Sequence, residues 1–375
     1  MRPVRPDYSW LPEHQHHVAF TLAHADELIY RVAQGLIDYL RPGPLELESI
    51  PDGLLCHVRV ARVAPLPPSI PRLTADALTQ LRAAIEHTLF AEVEHQIGRK
   101  LNTSEARRIE MPASTSSDGF SDWLRQRRRP DLPPMVDGAP LIARLRDLQP
   151  YNRRDADNHP LRVLAEHTNL AKHRTPAVAA TFVAKVIPDV EAPDISISAS
   201  SDQPALAGDT LATGPLRKRI PLSIWPMVSI QRPHTETWHV LIKELGYLED
   251  WVRTTAIPIL VTGTRDHSPL PPQIDVNIGY QNLKQALSAA GFTPAEKRSE
   301  RKMLASIARD GMVETLALHP DAPPAAVIKT WAEAMNDDQI LQRHESLARL
   351  GSPDKLRQLH TVMLNLLEEV RQHDE

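Results

Sequence analysis

"LRAAIEHTLF", residues 81–90, decides how the rest of the chain is read. Leu81, Ile85, Thr88 and Leu89 recur at three- and four-residue steps, the period of a helix with one buried side. Ala77 and Leu78 before it and Val93 after it extend the stripe. A helix is therefore predicted from Thr74, a plausible N-cap, to Gly98. The same stretch holds Arg82 and His87 with four residues between them, and Glu86 beside the histidine.

The pattern repeats on both sides. Val18, Leu22, Ala25, Ile29, Val32, Leu36 and Tyr39 predict a helix over about 13–40, ended by "RPGP". Between the two helices, "LELESIPDGLLCHVRVARV" alternates with period two around a "PDG" turn signal. A β-hairpin over 45–63 is expected there, with Asp52-Gly53 at its turn. "APLPPSIP" reads as an extended proline-rich connector. Downstream, Asn102 to Pro140 is loop-rich with short helical pieces, and "APLIARLRDLQPY" is a short helix. "HPLRVLAEHTNLAKHR" is a stronger one, with Pro160 in its first turn. Residues 177–235 read as strand-rich, and "HVLIKELGYLEDWVRTTAIPIL" as helical again. "VTGTRDHSPLPPQID" is dense in Gly, Pro, Ser and Thr and marks a boundary. The fold class is α+β: a helical core over 1–262 from helices near 13–40, 74–98, 141–174 and 239–260, decorated by the hairpin and the strand-rich segment. A linker at 263–280 and a helical C-terminal domain at 281–375 follow.

Composition excludes several classes. The formal net charge of −4 gives no global pull toward nucleic acid or membrane. Local basic runs, "RQRRRP" at 125–130 and "RKR" at 217–219, read as solvated surface. Proline is abundant, 34 residues against 14 glycines, which suits helices joined by stiff connections. Cys56 is the single cysteine, so no intramolecular disulfide forms and a cysteine-rich metal site is excluded. The first residues lack the apolar core of a signal peptide, and the longest apolar run, near "AIPILVTG", is too short to span a bilayer. A cytoplasmic protein without cofactor or membrane contact is expected. His14, His16, His17 and His24 raise the question of a metal, but their spacing matches no zinc motif, and no metal is assigned.

"LRAAIEHTLF", "LQPYN", "HPLRVLAEHTNLAKHR" and the helix around "LEDWV" together resemble an uncharacterised bacterial protein family frequent in actinobacteria. Its pattern is a Leu-Arg-x-Ala-Leu-Asp-His helix, a Leu-Gln-Pro-Tyr turn and an Asn-x-Asp-Lys-His-Arg helix end. Glu86 stands here for the aspartate before His87, and Ala171 replaces the second aspartate. The resemblance covers about residues 13–260 and leaves out the C-terminal helices. The leading helix also resembles the HEPN (higher eukaryote and prokaryote nucleotide-binding) ribonuclease motif, an arginine followed four to six residues later by a histidine. That likeness implies metal-independent cleavage of RNA, usually by a dimer.

The residue types suit that chemistry. Cleaving RNA without metal needs a base for the ribose 2′-hydroxyl, an acid for the leaving oxygen and positive charge at the phosphate. Histidine supplies the first two near neutral pH and arginine the third. Arg82, Glu86 and His87 are the candidate catalytic set. Tyr151, Asn169, Lys172, His173 and Arg174 are the candidate binding pocket, since Glu166, Asn169 and His173 form one polar stripe. Geometry argues against a simple pair, because five helical steps turn about 140°. Arg82 and His87 converge only if Arg82 reaches around or a second copy completes the site. Otherwise Arg82 and Glu86 form an i,i+4 ion pair within the bundle. A second Arg–His pair, Arg154 to His159 in "RDADNH", is explained by turn and cap chemistry. The alternative function is a non-catalytic interaction protein that binds a partner through residues 294–372.

Overall fold

The computed structural model describes residues 6–127, 132–189, 193–199, 201–216, 221–348 and 355–374. The "RKR" run, residues 128–130 of the "RQRRRP" run, and Ser352-Pro353, where the sequence predicts a helix start, lie outside them. The chain forms two compact units, 1–296 and 297–375.

The first unit is organised by two long helices, α1 (His16–Leu40) and α2 (Ser69–Ile97). All seven stripe residues of α1 are buried, and so are Ala77, Leu78, Leu81, Ile85, Thr88, Leu89 and Val93 of α2. The helices run antiparallel. Gln15 at the start of α1 donates to the Thr88 carbonyl near the end of α2 (3.0 Å), while Gly35 late in α1 lies against Ile70 in the first turn of α2. α2 starts at Ser69, so Thr74 is a fully buried interior residue and not the cap. Pro71 is tolerated because it sits in the first turn, where backbone N–H groups have no helical acceptor.

Three further helices close this core: α5 (Pro140–Asp147), α6 (Pro160–His173) and α7 (Leu241–Trp251). Two others, α3 (Thr103–Ala106) and α4 (Ser117–Arg127), lie in the loop-rich stretch. α7 passes through a π-helical turn, Val252–Ala256, into α8 (Ile257–Thr262). Pro258 cannot donate a backbone hydrogen bond, and a wider turn just before it is a known way for a helix to absorb that loss. Arg253 in this turn is buried. It pairs with Glu249 and donates to the carbonyls of Leu22 (3.3 Å), Leu270 (3.1 Å) and Pro271 (3.2 Å).

The expected hairpin is present as β1 (Leu45–Asp52) and β2 (Leu55–Val63), with Cys56, Val58 and Val60 buried. Its turn is Gly53-Leu54, since Asp52 pairs with Leu55, and only Gly53 takes a positive φ (58°). The strand-rich segment supplies β3 (Ala179–Pro188), β4 (Ser196–Ile197), β5 (Thr210–Pro215), β6 (Leu222–Gln231) and β7 (Trp238–Val240). They form two antiparallel sheets, ordered β1-β2-β5-β4 and β3-β6-β7. Within the strand-rich segment, β5 falls in "SSDQPALAGDTLATGP", whose sequence by itself reads as turns, and β7 falls in a stretch that reads as helix.

The expected linker at 263–280 belongs to the first core. Leu270 and Ile274 are buried there, as are Leu283 and Leu287 of α9 (Leu283–Ala289). Glu296 closes the unit against the bare backbone of Gly246, where any Cβ would collide with it, and pairs with Lys243 (2.8 Å). The second unit is helical: α10 (Ala295–Ala317), α11 (Ala325–Ala334), α12 (Asp337–Ala348) and α13 (Leu356–Asp374). Met312, Leu316, Ile328, Trp331, Ile340 and Leu367 fill its core. Among the described residues no helix is long and apolar enough to cross a membrane.

Removing one partner of a buried ion pair leaves the other charge stranded, at roughly 3–5 kcal/mol. Arg253→Met is therefore expected to lower the unfolding free energy by an amount of that order in urea titration. Arg125→Met, at an exposed i,i+3 pair with Asp122, is expected to change it little.

Candidate functional site

Antiparallel packing sets the first turn of α1 beside the last turns of α2. There His14 and His17 meet His87, Phe90, Ala91, Glu94, His95 and Gly98 across an open cleft of about 680 Å³. On α2 these residues follow one helical side, so a single stripe presents both His87 and His95. His14 shares a 2.8 Å hydrogen bond with Glu92, and its ring stacks on His95 at 3.9 Å between centres. Glu92 is itself buried. It also accepts from Gln15 (2.9 Å) and faces Arg144 at 3.7 Å. A buried carboxylate thus fixes the orientation of His14.

The His17 ring lies 6.3 Å from that of His87. Burial, aided by the neighbouring charge of His87, holds the His17 imidazole below its usual range, so it is neutral at pH 7. At the rim Arg99 pairs through both outer nitrogens with Glu105 (2.8 and 2.7 Å), and Lys100 pairs with Glu94 (2.9 Å). Among the described residues no three His, Cys, Asp or Glu side chains are placed to hold a metal ion.

Of the candidate catalytic and binding residues only His87 lines this cleft; His14 and His17, weighed in the sequence as metal ligands, line it too. Arg82 forms the i,i+4 pair with Glu86 (2.5 Å) and donates to the Met111 carbonyl, while Glu86 accepts from the Met111 N–H (2.8 Å). The pair therefore pins the Met111 backbone to α2. The Nη1 atom of Arg82 is buried and has no hydrogen-bond partner among the described residues. Tyr151 belongs to the same region: its N–H bonds the Ser114 carbonyl (3.3 Å), and its ring meets Phe120 edge-on. Asn169, Lys172, His173 and Arg174 are exposed at the end of α6. Glu166 of the predicted stripe pairs with Arg162 at 2.6 Å.

A buried polar cluster between α6, β6, β7 and α7 escapes the sequence reading. Arg232 is held by both oxygens of Glu244 (2.6 and 2.9 Å) and by the side-chain amide oxygen of Asn158. This is the work of the "RDADNH" loop, whose Asp155 in turn accepts from Asn158. His159 caps α6 by accepting from the Leu161 N–H (3.1 Å) and meets Trp251 edge-on. His167 is 2 % exposed, and among the described residues neither ring nitrogen has a hydrogen-bond partner. Burial pushes His159 down to about 4, and the charge of Arg153 adds to this. Burial pushes His167 down to about 3, helped by the charges of Arg232, His234 and His239.

Comparison with protein-family models, curated sequences and solved structures finds no match for this chain. The site is read from its own geometry.

The buried histidines make stability depend on acidity. Folded, His159 and His167 stay neutral well below the ordinary 6.5, while the unfolded chain protonates them there. As the pH falls below 6.5 the unfolded state binds more protons. Stability then drops by about 1.4 kcal/mol per pH unit for each histidine. The loss ends near pH 4 for His159 and near pH 3 for His167. Urea midpoints between pH 6.5 and 4 are expected to decline less steeply in His167→Leu than in the parent chain.

Proposed function

We propose that the chain cleaves RNA without a metal ion, using His17 and His87 as the acid–base pair. The observation that carries this reading is their placement, two imidazoles 6.3 Å apart across an open cleft. Each nitrogen must come within roughly 2.6–3.2 Å of the oxygen it serves. Rings at this spacing can flank the attacking and leaving oxygens of one phosphodiester. His17, neutral at pH 7, takes the proton of the 2′-hydroxyl as that oxygen attacks phosphorus. His87, in its protonated form, gives a proton to the departing 5′-oxygen. The products are a 2′,3′-cyclic phosphate and a free 5′-hydroxyl, so atoms and charge balance. His14, oriented by Glu92, adds a third imidazole at the cleft, while Arg99 and Lys100 at the rim would have to leave Glu105 and Glu94 to meet phosphate oxygens. The reading keeps His87 of the HEPN-like pair and gives Arg82 and Glu86 a structural part.

A second reading is favoured by a different observation. Met303, Leu304 and Ile307 of α10 are exposed at 42–49 % while Ala305, Ala308 and Met312 face the core. Exposed apolar side chains grouped on one helix suit contact with another protein, in which case Leu304→Glu with Ile307→Glu abolishes that contact and leaves the cleft intact.

The test is incubation of a structured RNA with the full chain in EDTA. Cleavage yielding 2′,3′-cyclic ends is expected, reduced about 10²-fold or more in His17→Ala and in His87→Ala. Arg82→Ala is expected to reduce thermal stability while leaving the products unchanged. Absence of cleavage by the parent chain, or full activity in the double histidine variant, rules the reading out.

A further inference from the structure

We infer that the histidine cleft accepts RNA only as an unpaired strand, because it holds the strand by stacking a base on Phe90. The inference rests on the cleft being the RNA site proposed above, and it names the form of RNA that enters. Phe90 lies one turn of α2 beyond His87, about 5 Å along the helix axis, and lines the same cleft. Leu89 and Val93, beside it on α2, are fully buried in the core. Phe90 is only half-buried, and its side chain is not part of that core.

The other rings of the cleft are already engaged. His14 and His95 cover each other at 3.9 Å between centres, and His17 and His87 form the pair 6.3 Å apart. Among the described residues no other ring meets Phe90. An aromatic side chain turned out of a core and into a cleft is the form that a base-stacking platform takes.

The charges of the cleft show why a ring is needed. Nucleic-acid sites ordinarily draw in a strand through cations on its phosphates. Here Arg99 is committed to Glu105 and Lys100 to Glu94, which also accepts from the Leu101 N–H (2.9 Å). The net charge of −4 adds no pull of its own. A base carries no charge, so stacking works whatever the balance at the rim.

Stacking also makes the selection. In a duplex both faces of a base are covered by its neighbours. A side-chain ring reaches a base face only in a loop, a bulge or a single strand. The cleft of about 680 Å³ falls within the range of small-molecule pockets, roughly 300–1,000 Å³, which suits a nucleotide of a single strand. Ala91, next to Phe90 in the lining, takes up little of that space.

The test is binding, measured on RNA that cannot be cut. A short single strand with every 2′-oxygen methylated and one 2-aminopurine base is titrated with the full chain. Saturable binding with quenching of the 2-aminopurine fluorescence is expected. The unlabelled duplex of the same sequence is expected to compete at least tenfold more weakly than the unlabelled strand. Phe90→Ala and Phe90→Leu are each expected to weaken binding about tenfold, while Phe90→Trp keeps the parent affinity. Leucine retains apolar bulk without a ring, so its variant separates stacking from packing even where the alanine variant disturbs folding. Equal competition by the duplex, parent affinity in Phe90→Leu, or no saturable binding overturns the inference. Ring-dependent binding without cleavage of ordinary RNA supports the stacking and removes only the acid–base reading. Cleavage with unchanged binding in the Phe90 variants removes only the stacking.

Discussion

The guanidinium of Arg253 is the constraint on which the first unit turns. A charge buried to this degree costs several kcal/mol unless its donors are met. Its donors are met by Glu249 on α7, by Leu22 on α1 and by two carbonyls of the 270–271 segment. These belong to three stretches far apart in sequence. The satisfied cation therefore fixes where α1, the α7–α8 helix and the following loop lie relative to each other. It also accounts for a loop rich in proline sitting inside the structure, because its bare carbonyls have a donor waiting. The π turn places Arg253 at the one point of the helix where backbone pairing is already interrupted by Pro258.

With α1 fixed in this way, its first turn divides two cavities. His14 and His17 face the cleft along α2, while His16 faces the cavity lined by Tyr8 and Lys284. The two cavities share one turn of helix and no lining residue. Their characters differ accordingly. The cleft is open and rich in imidazole, with its carboxylates committed to Gln15, Arg144 and the rim cations. The cavity has apolar walls, with Lys284 and Asp7 exposed at it. Arg82 and Glu86, one turn further back on α2, serve the Met111 backbone and neither cavity.

The helices were legible because their buried stripes are long and regular. Val18 to Tyr39 and Ala77 to Val93 kept one side apolar over several turns, and packing obeyed that pattern. β5 was not legible. "TLATGP" carries small residues and a glycine, and its pairing with β2 is set by a partner far along the chain. The boundary was misplaced because Pro and Gly density reports irregular backbone, not exposure. Leu270 and Ile274 were the overlooked signal. The cleft was half legible. The "HQHH" run and His87 both stand out in the sequence, but only antiparallel pairing of α1 and α2 brings them together. His167 was hidden by its position on the inner side of α6, where its polar character gave no periodic mark.

The order of strands carries a consequence for how the chain is made. β2 sits between β1 and β5. Its first partner is adjacent in sequence, while its second is distant: His57 and Thr213, which share a 2.9 Å hydrogen bond, are 156 residues apart. A ribosome adds about 5–20 residues per second. The hairpin therefore waits on the order of ten seconds with one edge of β2 unpaired. Two strands alone are marginal in water, and an open edge is a template for pairing with other nascent chains. The exposed Glu46, Glu48 and Asp52 of β1 guard one side of that hairpin. The other side depends on speed of synthesis, or on a chaperone, until β5 arrives.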